Sequence, residues 1–361
     1  MILVVRFYHH KSKFKNSEHS SLFFVGIKQS VLLLFIFLIS ACEPQSQRKM
    51  SVLSGPIMGT DYRISVVSNF EFDEKLIHQQ VKATMNKVND SMSHYLETSE
   101  ISKINRSVAE KEIKVSNDLA IVLAEAQAIS ELSSGAFDIT VAPVVNLWGF
   151  GPAGTITKQP AQAVIDSFSQ SVGYQKITLQ DNVLIKSNGG TQLNLSAIAK
   201  GFAIDQVART LHENGIHDYL INIGGELKAG GHNVDNQVWR VGIEKPVMLG
   251  GVQQIIKLEN QAVATSGDYL NFIIFDGKRY SHVIDPITLA PVLHRLALVS
   301  VVHENASSAD ALATAMLVMG EETAFEFAEQ QSLAVYFVIR DAEGDGFYSR
   351  YSSNFERFIN E

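Results

Sequence analysis

Asp276 and Gly277 stand between two runs that read as strands, 271–275 and 278–283. An Asp-Gly pair in that setting favours a two-residue hairpin turn, because both turn positions need positive φ and these residues reach it at little cost. Ile177 with Leu179, and Val183 with Ile185, flank Gln180-Asp181-Asn182 in the same manner. Tyr62, Ile64 and Val66 alternate with polar residues, the period of a half-buried strand. Leu76, Val81, Met85, Val88 and Met92 recur at helical spacing, and a second helix is expected from Ser116 or Asn117 to just before Gly135. Hairpins outnumber strand–helix–strand units, so the predicted class is α+β, with mixed, largely antiparallel sheets and packed helices.

Composition narrows the function classes. The chain has 361 residues, of which 46% are hydrophobic and 19% charged, enough for a real core and unlike a disordered chain. A net charge of −8, without a long basic run beyond the leading segment, argues against a nucleic-acid footprint. The single cysteine, Cys42, excludes an internal disulfide and a cysteine-rich metal site.

Cys42 follows an apolar run, Val31-Leu32-Leu33-Leu34-Phe35-Ile36-Phe37-Leu38-Ile39, preceded by Lys28. The run falls short of the roughly 20 residues that a spanning helix needs, and it suits the apolar part of a secretory signal. Ile39-Ser40-Ala41-Cys42 resembles a bacterial lipobox, in which the cysteine is acylated; an ordinary cleaved signal is the alternative. Glu43 favours outer-membrane sorting. The stretch before Gly26 is long for a leading charged region, and a start near Val25 would give an ordinary one. The chain therefore divides into a lipoprotein signal at 1–41, a polar tether at 42–50 and a folded domain at 51–361.

Five stretches carry residue types suited to chemistry. Met58-Gly59-Thr60 either brings backbone close to a ligand or simply turns before a strand. Ser134–Thr140 runs on to Gly151 and offers small residues, an exposed-looking Asp138 and an aromatic cluster. It suits a flat apolar pocket, or else a helix cap with a hydrophobic plug. Leu193–Gly201 places small residues and Lys200 before a helix, a plausible anion cradle that lacks the P-loop spacing. Ile223-Gly224-Gly225-Glu226 is a glycine pair at a strand end. Finally, Thr265–Tyr269 leads to Tyr280-Ser281-His282-Val283-Ile284-Asp285-Pro286, and Asp310 and Thr314 lie four apart in a later helix. Hard oxygens on one helical face suit Mg²⁺; a first-turn acid with a back-bonded threonine is the bland alternative. His282, with Ser281 and Asp285 nearby, is a candidate base.

In this order, SGAFDITVAPVVNLWGFGP, LSAIAKGFAIDQVA, INIGGEL, VATSGDY, DGKRYSHVIDP and ADALATA resemble the FAD:protein FMN transferase family, also called the ApbE or "thiamine biosynthesis lipoprotein" family. The resemblance runs from about Gly55 to Gly320 and implies an ApbE-like, T-fold-related architecture. It further implies an Mg²⁺-dependent enzyme that cleaves FAD, attaches FMN to a threonine of an acceptor protein and releases AMP. By motif position, Met58, Tyr95, Ala136, Phe137, Asp138, Asn194, Lys200 and Ile284 should touch FAD. The carbonyl of Ala197, with Asp310 and Thr314, should hold magnesium, and His282 should be the base. Asn194 stands where the family commonly has Asp, and Leu289-Ala290-Pro291 replaces its usual Gly-x-Pro, so that loop is expected to differ. The family's acceptors include subunits of Na⁺-translocating NADH:quinone or Rnf-type complexes, and its exported members face the periplasm on a lipid anchor. An Mg²⁺-dependent FAD pyrophosphatase and a non-enzymatic flavin-binding protein are the alternatives.

Overall fold

The computed structural model describes residues 47–359, apart from 248–250, 270 and 344–345. The signal and lipobox reading, with Cys42 and Glu43, lies outside the described residues. Strand β1 (Lys49–Ile57) turns back at Met58-Gly59 into β2 (Thr60–Ser68), so Lys49 and Met50 are already paired, with Ser68 and Val67. Helices α1 (Glu74–Met92), α2 (Glu100–Asn105) and α3 (Asn117–Leu132) follow, the last capped by the Ser116 hydroxyl. Between α2 and α3 lies the short β3 (Ile113–Lys114), which pairs with Leu184 and Val183 of the next hairpin.

After α4 (Ala142–Leu147) and α5 (Gln162–Asp166), the hairpin β4 (Ile177–Gln180) and β5 (Val183–Lys186) forms where turn chemistry placed it. Asp181 and Asn182 take φ of 50° and 61°, the doubly positive turn that suits the twist of two strands. Helix α6 (Ala199–Glu213) leads to β6 (Asp218–Ile223) and β7 (Glu226–Gly230), joined through Gly224-Gly225. Then come the hairpin β8 (Trp239–Glu244) and β9 (Val252–Leu258), and β10 (Ala262–Gly267). The Asp276-Gly277 turn joins β11 (Phe272–Phe275) to β12 (Lys278–Ser281), with φ of 51° and 76°. Short β13 (Ile284–Asp285) and β14 (Ala290–Pro291) precede β15 (Leu296–His303), α7 (Ala306–Met319), α8 (Glu321–Gln330), β16 (Ala334–Arg340) and β17 (Phe347–Tyr351).

Eight strands make one sheet in the order β1-β2-β6-β7-β10-β15-β16-β17, every neighbouring pair antiparallel. This is the α+β class expected. Both faces of the sheet are covered, which explains the unbroken apolar run of β16. Val335, Phe337 and Ile339 enter the core beneath α1, α6 and α7, whereas Ala334, Tyr336 and Val338 meet a second core formed with β8, β9, Phe355 and Phe358. On α1 the buried stripe is Ile77, Val81, Met85, Val88 and Met92. Leu76, expected on that face, is 47% exposed, because the stripe's spacing of four and three residues counts from Ile77.

A third, smaller cluster holds Val144 and Trp148 from α4 and its C-cap against Phe275, Tyr280, Ile284 and Leu289. Trp148 stacks on Tyr280 at 5.5 Å between ring centroids and donates its indole N–H to the Leu289 carbonyl at 3.1 Å. Leu289 itself has φ 57°, a conformation that favours glycine, so a strained leucine stands here and its side chain fills this cluster.

Candidate functional site

A cavity of about 1010 Å³ opens between the sheet, the N-terminus of α6, the β11–β12 hairpin and the face of α7. That volume is at the upper end of small-molecule sites. Its wall includes Tyr95, Ala136, Phe137, Asp138, Asn194, Ala197, Lys200, His282, Ile284, Asp310 and Thr314. Residues from five separate stretches thus meet in one place. Met58 does not line it. Met58 occupies the β1–β2 turn at φ 49° and packs on the main core. The turn lies beside the cavity-lining Gly224, which rests on Thr60 and donates its N–H to the Asp61 carbonyl at 3.1 Å.

The floor is built where α6 crosses α7. Gly201 lets the helices approach so closely that a Cβ there would stand 2.2 Å from the Ala306 carbonyl oxygen. The same approach lets the Gly201 N–H donate to Asp310 Oδ2 at 3.2 Å. One turn along α7, Thr314 Oγ1 meets Ser266 Oγ at 2.9 Å, so the helix face carries a carboxylate and a hydroxyl side by side. Asp310 lies in the second turn of α7 and is buried, unlike an exposed first-turn acid. Lys200 forms an ion pair with Glu226, which enters from the start of β7.

Electrostatics follow from this packing. Burial alone would favour the neutral amine of Lys200, but the charges of Asp310 and then Glu226 outweigh it and raise its pKa. Burial also lifts the Asp310 carboxyl, against the pull of Lys200 and the Gly201 N–H. It pushes Glu226 up to about 7, again against Lys200. Glu226 Oε2 is buried and has no hydrogen-bond partner. Sequence reasoning passed over Glu226 because a Gly-Gly-Glu at a strand end has many bland meanings. The signal was that a buried acid needs a partner, and that partner is Lys200, 26 residues earlier in the chain.

Two other positions bear on the sequence reading. Asp138 was expected to be exposed but is buried, because Thr140 donates to Oδ1 through its N–H at 2.7 Å and its hydroxyl at 2.6 Å. Burial raises its pKa, and the Thr140 bonds oppose the rise. Asn194 folds its side chain back to accept from the Ser196 N–H at 2.9 Å, a bond that an Asp would make equally well.

His282 follows β12 directly. Its neighbours in sequence do not orient it: Ser281 Oγ accepts from the Val283 N–H, and Asp285 accepts from the Ile287 N–H and the Thr288 hydroxyl. The partner is the Asn271 carbonyl, 3.1 Å from His282 Nδ1. A carbonyl only accepts, so Nδ1 carries the proton and Nε2 of the neutral ring holds a lone pair. Burial lowers the imidazole pKa, opposed in part by the Asn271 bond and Asp268. The hairpin that carries His282 is bolted to the main sheet by Asp268, which takes Arg340 of β16 on both oxygens (2.5 and 2.9 Å) and Arg279 of β12 at 3.0 Å.

Such a site can bind a large polyanion, using a protonated lysine and hard oxygens that suit a small divalent cation, and can take a proton at a free imidazole nitrogen. Among the described residues no group of three His, Cys, Asp or Glu side chains gathers around a metal position, so any cation here would also need the Thr314 hydroxyl, a carbonyl such as that of Ala197, water or ligand oxygens.

Known proteins share this fold. A "FAD:protein FMN transferase" of Haemophilus influenzae is 39% identical over 328 residues, covering 88% of this chain and 94% of the relative. One from Vibrio cholerae is 38% identical and covers 92% of this chain and 98% of the relative. The structure of the flavin transferase ApbE from Vibrio cholerae superposes with a TM-score of 0.80 at 38% identity, covering 86% of this chain and all of that one. Pseudomonas stutzeri flavinyl transferase ApbE, in its apo form, also gives 0.80, at 34% identity, with 87% and 98% covered. With the ApbE family model matching residues 58–337, the chain belongs to the ApbE family.

Proposed function

We propose that this chain is an FAD:protein FMN transferase that joins the FMN half of FAD to a threonine hydroxyl of an acceptor protein and releases AMP. The observation that carries this reading is one cavity holding a protonated lysine between two buried carboxylates, with an imidazole lone pair on its wall. In this reading the diphosphate lies over Lys200, and the flavin and adenosine parts contact Tyr95, Ala136, Phe137, Asp138, Asn194 and Ile284. Met58 would contribute from the neighbouring β1–β2 turn. Asp310, Thr314 and the Ala197 carbonyl would hold Mg²⁺, which when bound offsets charge on the diphosphate.

The acceptor's Oγ attacks the phosphorus of the FMN phosphate, and the P–O bond to AMP breaks. The hydroxyl proton passes to His282 Nε2, and AMP leaves with the bonding electron pair. Lys200 stabilises the charge that shifts onto the departing phosphate. Holding both substrates in line contributes more than the base, which typically supplies about 10²–10⁴-fold. The lipobox reading supports an enzyme anchored through Cys42 to the cell envelope, facing the periplasm, with Glu43 favouring the outer membrane. There, membrane redox complexes of the sodium-pumping NADH:quinone or Rnf type are its proposed acceptors.

Mass spectrometry of such an acceptor after incubation with enzyme, FAD and Mg²⁺ tests the reading. The expected result is a mass gain of FMN on one threonine, with AMP released only when acceptor is present. Rapid AMP release without acceptor would make the enzyme a pyrophosphatase instead, and intact FAD throughout would make it a flavin-binding protein.

A further inference from the structure

The mechanism leaves Glu226 without a task. Glu226 is 4% exposed, one carboxylate oxygen is paired with Lys200, and the other, Oε2, is buried without any partner. A buried carboxylate oxygen left unpaired is costly, and native proteins keep such groups where a ligand completes them. Glu226 stands in the same cavity wall as Asp310 and Thr314, and the charge of Asp310 is felt at Glu226. Around Lys200 stand the Asp310 and Glu226 carboxyls, hard oxygens of the kind that hold small divalent cations.

We infer that Glu226 is a further oxygen ligand of a divalent cation of the magnesium class, shared with Asp310 and reached through its unpaired Oε2. The inference rests on the cation site proposed above. It gives Glu226 two simultaneous tasks: one oxygen holds Lys200 beside the diphosphate, and the other holds the ion that the diphosphate meets.

Mn²⁺ alone, titrated into the full chain and followed by electron paramagnetic resonance of the free ion, tests this without turnover. Glu226→Gln is expected to weaken Mn²⁺ binding at least tenfold, as is Asp310→Asn. The double variant Lys200→Met with Glu226→Gln keeps the net charge of the cluster and closely preserves side-chain volume, so it guards against misfolding and against a purely Coulombic effect. It too should bind at least tenfold more weakly, with an unchanged circular dichroism spectrum. Wild-type affinity in the double variant would overturn ligation by Glu226, because charge alone would then account for the single variant. Wild-type affinity in Glu226→Gln with loss in Asp310→Asn would overturn the role of Glu226 while leaving the cation site intact. Wild-type affinity in both single variants would overturn the cation site itself, and this inference with it.

Discussion

Replacing Gly201 by alanine sets two physical effects against each other. Gly201 lies in the first turn of α6, where alanine is the better helix former by about 1 kcal/mol, so propensity alone predicts stabilisation. Sterics predict the opposite. The new Cβ would lie 2.2 Å from the Ala306 oxygen, 2.5 Å from its carbonyl carbon and 2.7 Å from Ser307 Cα. These are backbone atoms at the start of α7 and cannot rotate aside. Ordinary contact begins near 3.4 Å, so the helices must part by roughly 1 Å at the crossing. Overpacking of that kind costs about 1–3 kcal/mol, and the bond from Gly201 to the Asp310 carboxylate, of a class worth about 1.5–3 kcal/mol, stretches with it. The net expectation is a loss of roughly 1–3 kcal/mol, a melting temperature lower by several degrees. The same displacement separates Lys200 from Asp310, and a misplacement of about 1 Å can cost around 10²-fold in rate. Thermal melts and single-turnover FMN transfer at saturating FAD measure both. A variant as stable as the wild type, transferring at the wild-type rate, would refute the claim that this glycine sets the floor of the site.

Four further outcomes are expected. His282→Ala should slow transfer by about 10²–10⁴-fold while flavin fluorescence titration shows FAD affinity within a few-fold of wild type; an unchanged rate would remove His282 as the base. Because burial lowers the His282 pKa, against Asn271 and Asp268 and with Lys200 and Arg279, its neutral form persists below the ordinary value of 6.5. The acid limb of the single-turnover pH profile should therefore lie below pH 6.5, activity falling as pH drops through it, and a limb above that value would contradict the assignment. Asp268→Asn should cost roughly 2–3 kcal/mol, discounted from a fully buried pair because its arginine partners are 33% and 22% exposed. It should lower kcat more than FAD affinity, since it frees the hairpin that carries His282; equal losses in both would argue for general unfolding. Leu289→Gly relieves backbone strain of about 1–3 kcal/mol but empties a buried leucine site worth about 2–5 kcal/mol, so chemical denaturation should show a net loss of stability.

Local chemistry made much of this protein legible. Asp181-Asn182 and Asp276-Gly277 turn where they do because each pair tolerates positive φ, a property of those residues and their neighbours alone. The Ser116 cap and the stripe on α1 follow from the helical repeat, and only the offset from Leu76 to Ile77 needed the packed neighbour to decide it. The motifs also carried the family resemblance and, with it, most of the residues that line the cavity.

What the chain could not declare locally depends on which strands lie side by side. Pairing of β2 with β6 and of β10 with β7 and β15 brings segments from distant parts of the chain to one cavity, and no short-range preference encodes that order. Met58 stays out of the wall because its side chain packs on the main core, and His282 takes its proton orientation from the carbonyl of Asn271 across the hairpin instead of from Ser281 or Asp285. Glu226 acquires meaning only when β7 sets it against Lys200, and Gly201 only when α7 comes within contact of α6. Residue type and periodicity determined which groups this protein owns. Sheet order and helix crossing decided which of them meet, because burial and Coulombic forces act between groups that are near in space, however far apart they lie in sequence.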